Sequence, residues 1–422
     1  MKVFKFGGAS VKDANAVKNV GEIIKLHKDN LVVVVSAMGK TTNGLEKVVE
    51  SYLNKDGKVQ ENLQVVREFH SSILNDLFEN KNHPIFNEIH NTFVEIEWEI
   101  EDDATRKYNY IYDQIVSVGE IISTKIVSAY LNETGLKNTW LDVRNIIQTD
   151  NTHRNAKIDW KLTELLVPKV ISPLLKKENQ SVIITQGFIG SSSELFTTTL
   201  GREGSDFSAG ILAYCLDAES VTIWKDVPGM LNADPKWFDN TIKLDNISYH
   251  EAVELAYYGA SVIHPKIIKP LHNKNIPLYV KSFVSPQANG TVINENTKDD
   301  SLVPSFIFKM NQVLISISAK DYSFIMEDNL SHIFGVFSNY GISINLMQNS
   351  AISFSVCIDF DKQKTHQLID ELKKDYKILY NDNLELVTIR HYDQQTIERV
   401  TKEKEILVEQ KSRQTARFVM KG

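Results

Sequence analysis

Two short glycine-bearing segments hold most of the chemistry this sequence offers. Lys5-Phe6-Gly7-Gly8-Ala9-Ser10 places a lysine in an alternating apolar strand and follows it with loop amides next to a helix start. Such a loop suits phosphate oxygens, because unpaired N–H groups there carry partial positive charge. Gly201-Arg202-Glu203-Gly204-Ser205-Asp206 is the second, running into an apolar helix over 207–216. Taken alone, Asp206 reads as a helix cap and Arg202 as a surface charge. Together in one domain, the segments suggest a phosphoryl-transfer site with a lysine and an arginine supplying positive charge.

Commoner phosphate and metal motifs are missing. Gly39-Lys40-Thr41 resembles the end of a P-loop, but Val34 stands where the earlier glycine is required. His153-Arg154 is followed by Asn155, so the protein-kinase catalytic loop is absent. No zinc-protease helix and no dinucleotide fingerprint occur.

These segments need strands to hold them. Residues 2–6 alternate and stop at Gly7-Gly8, and 31–35 form a β-branched run ended by Ser36-Ala37-Met38-Gly39. Residues 182–185 before Gly187 and 221–224 before Asp226 repeat the scheme. Four buried strands separated by helical text predict an α/β sandwich with a largely parallel sheet. Ligands then bind at the carboxyl ends of the strands. Residues 44–107 read as a helical insertion, in which 95–103 form a solvated acidic face.

A polar linker at 294–301 marks a boundary, giving a catalytic domain over 1–295 and a second region over 306–422. The second region follows the order β-α-β-β-α-β up to about residue 381, the ferredoxin-like unit. From 384 the order restarts and stops early, so this incomplete copy has to borrow elements, with 304–310 as the candidate strand.

Length and composition agree with such a chain. Its 422 residues fill two or three domains, and 42% hydrophobic with 24% charged residues is ordinary for a globular protein. A net charge of −7 gives no footprint for nucleic acid or an anionic membrane. The apolar runs are too short to span a bilayer, and the N-terminus lacks a signal-peptide pattern, which predicts a cytoplasmic protein. Cys215 and Cys357 sit in apolar text and read as buried thiols.

Seven ordered motifs carry a resemblance. They are the segment 5–10, Val35-Ser36-Ala37-Met38 with Thr42-Asn43, Ser117-Val118-Gly119-Glu120, Gln186-Gly187-Phe188-Ile189-Gly190, the segment 198–206, Trp224-Lys225-Asp226-Val227-Pro228-Gly229, and Gly259-Ala260-Ser261-Val262-Ile263-His264-Pro265. In order and spacing they resemble aspartate kinase, a three-layer αβα member of the amino acid kinases, followed by tandem ACT regulatory units. The resemblance implies transfer of the γ-phosphate of ATP to the β-carboxylate of L-aspartate.

It also implies roles. Lys5 reaches the transferring phosphoryl group and Asp206 orients it, while Gly7, Gly8 and Ser10 offer loop donors to the phosphates. Arg202, assisted by Ser205, takes the substrate α-carboxylate. Glu120 takes the α-ammonium, and Ser36 and Thr42 supply hydroxyls. Lys225, Asp226, Leu231, Lys236 and Ser261 line the nucleotide. Here the chain departs from the family, with Lys225 for Thr or Ser, Leu231 for an aromatic, Lys236 for Arg, Ser261 for Lys and Ala9 for Thr. Mg²⁺ rides on the ATP phosphates, with no protein metal site. Asn345 and Ser350 would contact a lysine or threonine effector, and the ACT units imply a homodimer or larger homo-oligomer. A kinase of another amino acid and a kinase-like amino-acid sensor are the alternatives.

Overall fold

The computed structural model describes residues 1–101, 106–175, 181–201, 203–260, 263–321 and 323–421. Arg202 and Ser261, together with Asp102 and Asp103 of the expected acidic helix face, lie outside them. The chain divides into two compact units. The first holds Met1–Met230, Lys243–Ala252 and Val262–Thr297; the second holds Leu231–Ile242, Val253–Ser261 and Lys298–Gly422.

The first unit is built on strands β1 (Lys2–Phe6), β2 (Leu31–Val35), β3 (Thr139–Leu141), β4 (Gln148–Thr149), β5 (Val182–Gln186), β6 (Ile189–Ser192), β7 (Thr197–Thr199), β8 (Ser220–Lys225), β9 (Asn246–Ser248), β10 (Leu278–Ser282) and β11 (Thr291–Asn294). Eight of them form one sheet in the order β3-β5-β2-β1-β8-β10-β11-β9, and β4, β6 and β7 form a small second sheet. Every pairing in the large sheet is parallel except β10 with β11. The four strands expected from sequence are its centre.

Helices α1 (Ala14–Lys25), α2 (Thr41–Asn54), α3 (Val59–Leu77), α4 (Pro84–Glu101), α5 (Tyr108–Val116) and α6 (Val118–Glu133) share one core with Phe4, Phe6, Val33, Val35 and Trp224. Val3 and Lys5 are absent from that core, as the period-2 alternation of a strand requires. The other face receives α8 (Gly204–Cys215), which packs on β1, β2 and β8, flanked by α7 (Trp160–Ile171) and α10 (Pro265–Asn273). Lys5 therefore projects onto the side where α8 begins. The expected helical insertion is the α2–α4 run, beginning at Thr41.

The second unit contains β12 (Ser305–Ala319), β13 (Ile344–Asn349), β14 (Ser353–Asp359), β15 (Tyr376–Arg390), β16 (Glu405–Lys411) and β17 (Thr415–Lys421), with α11 (Glu327–Asn339), α12 (Lys362–Leu372) and α13 (Gln394–Thr401). Its sheet order is β13-β14-β12-β15-β17-β16, antiparallel throughout. Two ferredoxin-like copies share β12 and β15. The sequence suggests separate short strands over 314–318, 377–380 and 386–391. Instead two 15-residue strands run across both copies, bent by register shifts between Lys309 and Leu314. Asn311 and Asn383 take left-handed φ of 54° and 52° within these strands. Asparagine accepts that conformation at low cost, so text that reads as a break is a bulge.

Ser305–Lys309 pairs with Leu386–Arg390, supplying the strand the incomplete copy lacks. Phe238 stacks on Phe306 at 4.3 Å and joins its core, which is why Leu231–Ile242 groups with this unit. Beside the expected spans 1–295 and 306–422, the second unit therefore draws on earlier chain. Both cysteines are free and buried. No helix among the described residues is long and apolar enough to cross a membrane.

Candidate active site

Four loops leave the carboxyl ends of β1, β2, β5 and β8 and enclose a cavity of about 520 Å³. Lys5, Gly8, Ser36, Thr42, Glu120, Ser205, Asp206 and Lys225 line it. Residues more than 200 positions apart thus meet because parallel strands place their ends side by side. Thr42, Glu120, Ser205 and Asp206 each occupy the first turn of a helix. Three helix N-termini therefore face the cavity, and their dipoles favour anionic ligands.

Close approach fixes the loops. A Cβ on Gly8 would lie 2.8 Å from the carbonyl oxygens of both Ala37 and Gly39, so only glycine lets the β1 and β2 loops touch. Gly39 N–H donates to Gly8 O at 3.0 Å, and Ser36 N–H donates to Phe6 O at 3.0 Å. A Cβ on Gly187 would sit 2.5 Å from Ser205 Cβ, which presses the end of β5 against the start of α8.

At the floor, Lys5 Nζ is 2.6 Å from Asp206 Oδ1, with both side chains nearly buried. At that distance the two opposite charges form a buried ion pair. Glu120 is wholly buried, and burial pushes its carboxyl up to about 8, against an N–H from Ala37 and the charge of Lys5. Its Oε2 has no hydrogen-bond partner among the described residues. A buried, unsatisfied carboxylate oxygen is costly unless a cationic ligand completes it. Lys225 is lowered by burial, with Asp206 resisting and Lys5 reinforcing the shift.

The remaining expected residues are placed as follows. Ser10 is buried, and its hydroxyl donates to Trp224 O at 3.3 Å, which ties the first loop to β8. Gly7, Asp226, Leu231 and Lys236 are not among the cavity-lining residues. Leu231 and Lys236 belong to the second unit, where Asp234 Oδ1 accepts from the Lys236 N–H at 2.9 Å. Arg202 and Ser261 lie outside the described residues.

Glu46, Tyr112 and Arg154 also line the cavity, and the sequence reading does not single them out. The Tyr112 hydroxyl donates to Glu46 Oε1 at 2.8 Å. Burial raises the Tyr112 phenol above its ordinary value, and Glu46 adds to the rise. The Arg154 guanidinium lies over the Tyr112 ring at 4.3 Å and the Tyr108 ring at 5.1 Å. Beneath it, fully buried Asp113 accepts from Thr199 Oγ1 at 2.6 Å and from the Arg154 N–H at 3.1 Å, and lies 2.9 Å from His153 Nδ1. The sequence carries no local signal for Asp113, which stands between Tyr112 and Gln114.

In the second unit, Asn345 lines a separate cavity of about 430 Å³ with Phe334, Met347 and Arg417. Its Oδ1 accepts from Lys309 at 2.7 Å, and its Nδ2 donates to Gln312 at 2.9 Å and Asp359 at 3.0 Å. Ser350 does not line this cavity; it bonds Ser353 across the β13–β14 turn.

Residues 1–282 match the amino acid kinase family. The lysine-sensitive aspartokinase 3 of Escherichia coli (strain K12) is 32% identical over 396 residues, covering 92% of this chain and 86% of that one. The crystal structure of E. coli aspartokinase III in complex with aspartate and ADP (R-state) covers 100% of this chain and 96% of its own, at 29% identity and TM-score 0.83. Its complex with lysine and aspartate (T-state) covers 99% and 95%, again at TM-score 0.83. With Lys5, Glu120, Ser205 and Asp206 gathered at the strand ends, the chain belongs to the aspartokinases of the amino acid kinase family.

Proposed function

We propose that the chain is an aspartate kinase, transferring the γ-phosphoryl group of ATP to the β-carboxylate of L-aspartate to give 4-phospho-L-aspartate and ADP. The observation that carries this is one cavity holding the Lys5–Asp206 ion pair beside a buried, unsatisfied Glu120. Lys5 offsets charge on the phosphoryl oxygens as the bond to the leaving ADP oxygen breaks and the bond to the carboxylate forms. Asp206 keeps the lysine charged and in place. Glu120 receives the substrate ammonium, which supplies the missing partner of Oε2 and favours its ionised form. Ser36, Thr42 and Ser205 add hydroxyl donors around the carboxylates, with Arg202 for the α-carboxylate. Gly7, Gly8, Ser10, Lys225 and Asp226 serve the nucleotide from the first and fourth loops.

Magnesium would shield the phosphate charge. No group of three or more His, Cys, Asp or Glu among the described residues could cage it, and Asp206 is taken by Lys5, so ATP oxygens and water would hold the ion.

The tandem ACT sheet is the regulatory part. Lysine, which the T-state relative binds, is the effector we assign, with the Asn345 cavity as its place and threonine as the competing choice. Among the described residues β13 and β16 are the end strands of the sheet, which suits pairing with a second copy in a cytoplasmic homodimer.

Trapping acyl phosphate with hydroxylamine in the presence of ATP, Mg²⁺ and L-aspartate tests the reading. Aspartate-dependent hydroxamate is expected, with little from glutamate or N-acetylglutamate. No aspartate-dependent product, together with weak ATP binding by calorimetry, would instead make this an amino-acid sensor.

A further inference from the structure

We infer that Lys225 is a second catalytic cation, whose ammonium contacts the oxygen joining the β- and γ-phosphates of ATP and offsets the charge that collects there as the phosphoryl group leaves. The inference rests on the aspartate kinase reading and deepens it, moving Lys225 from a residue beside the nucleotide to one that takes part in the bond change.

Sheet register places it. Strands β1 and β8 are parallel neighbours, with Lys5 opposite Ile223 and Phe6 opposite Trp224. Phe6 and Trp224 enter the core on one face, so alternation turns Lys5, Ile223 and Lys225 to the other. Two lysines therefore project from adjacent strands onto the same side, and both line the cavity. Lys225 stands two residues, about 6.6 Å, beyond the Lys5 level toward the carboxyl edge. Its backbone is clamped on both sides. Ser10 Oγ donates to Trp224 O at 3.3 Å, and Phe283 N–H donates to Lys225 O at 2.8 Å. The first of these bonds sets the end of β8 against the glycine loop whose amides serve the phosphates.

The two lysines differ in their neutralisation. Lys5 is paired with Asp206 at 2.6 Å, whereas among the described residues the Lys225 ammonium has no ion-pair partner. Burial lowers Lys225 and Lys5 adds to the lowering, against Asp206, Glu203 and Asp226. A cation drawn partly out of water and left unpaired gains most when an anion arrives.

The reaction supplies that anion. One β-carboxylate oxygen of aspartate forms the new bond to phosphorus, while the bond from phosphorus to the bridging oxygen breaks and its electron pair stays on ADP. Negative charge thus builds on the β-phosphate, and the lysine answers it with a charge-assisted hydrogen bond and no proton transfer. Attacking and leaving oxygens lie in line on opposite sides of phosphorus. Lys5, beside Ser205 and Asp206, serves the transferring group, and Lys225, beside the glycine loop, serves the leaving oxygen. The Thr or Ser usual at this position could not carry that charge, so the cation is this chain's own. The same resemblance sets Ser261 where Lys is usual.

Steady-state kinetics of Lys225→Ala, Lys225→Thr and Lys225→Arg in the hydroxamate assay test the assignment, with thermal unfolding of each. A β-branched threonine suits a strand end and should fold. Both Lys225→Ala and Lys225→Thr are expected to lower kcat about 100-fold, with the KM for L-aspartate within about twofold and the KM for ATP within about threefold. Lys225→Arg should recover part of the loss. Added methylammonium should restore part of the turnover of Lys225→Ala, and potassium chloride at equal ionic strength should not. A raised KM for ATP with kcat unchanged would overturn the inference and leave Lys225 a nucleotide contact. A fall in kcat that neither arginine nor methylammonium repairs would overturn it as well. Wild-type enzyme that makes no acyl phosphate from aspartate would overturn the kinase reading itself, whereas active wild type beside a fully active Lys225→Ala would overturn this inference alone.

Discussion

The two walls of the candidate active-site cavity are built by different physics. On the Lys5 side, position follows from the sheet: alternation turns Lys5 away from the Phe4, Phe6 and Trp224 core and onto Asp206 at the start of α8. On the Arg154 side, a cation rides on tyrosine rings at the tip of a strained loop, anchored by the buried carboxylate of Asp113. The first wall has little freedom and suits the transition state, where misplacement by an ångström is costly. The second sets a cation on aromatic faces beside the cavity.

Lys5→Ala should separate the walls most sharply. Turnover in the hydroxamate assay is expected to fall by roughly 10³-fold or more, with the aspartate dissociation constant changed only a few-fold. A rise in the aspartate requirement without loss of kcat would mean that the Lys5 wall binds substrate rather than serving the transfer.

Glu120→Gln comes next, with an aspartate KM raised by about 30-fold, the scale of losing one partner of a buried charge pair. The same variant tests the carboxyl pushed from 4.5 up to about 8. Between those values the folded protein holds a proton that the unfolded chain has released, so Glu120 lowers stability as pH rises across that window. Denaturant titrations should show this slope, up to about 1.4 kcal/mol per pH unit, shrinking in Glu120→Gln. His70 works in the opposite sense. Burial lowers its imidazole from 6.5 to about 4, so it costs stability as pH falls through that range, and His70→Gln should flatten the acid side of the profile.

Gly8→Ala attacks the closeness of the loops. The added methyl meets two carbonyl oxygens at 2.8 Å, and a loss of about 1–3 kcal/mol is expected in chemical denaturation, with reduced kcat. An unchanged stability would show that the β1 and β2 loops can part freely. The smallest effect belongs to Tyr112→Phe, which removes the hydroxyl bond to Glu46 but keeps the ring under Arg154. An aspartate KM within about threefold of wild type is expected; a tenfold rise would mean that the hydroxyl, rather than the ring, organises this wall.

Legibility followed the same division. Lys5 and the 201–206 segment could be picked out locally, because strand ends and helix starts leave signatures of glycine and small polar residues, whereas Ser36 and Glu120 could be picked out only through the family resemblance. Arg154, Tyr112, Glu46 and Asp113 could not. They lie in a loop and inside helices, where nothing local separates a cavity residue from a surface one. In the ACT sheet, the sequence around 311 and 383 reads as a gap between short strands because a bulge and a turn use the same residue types. Only the pairing partner distinguishes them.

The amino-acid sequence by itself determined the parallel sheet, the glycine loops at its carboxyl edge and the repeated β-α-β-β-α-β unit, since all are written in short-range periodicity and turn chemistry, while the roles of Lys5 and Asp206 are implied by the family resemblance. Tertiary structure alone decided that Arg154 faces this cavity, that Leu231–Ile242 packs with the C-terminal unit, and that β12 and β15 each serve two copies. These are contacts between distant segments, fixed by which surfaces find complementary partners when the chain collapses, and no local pattern encodes them.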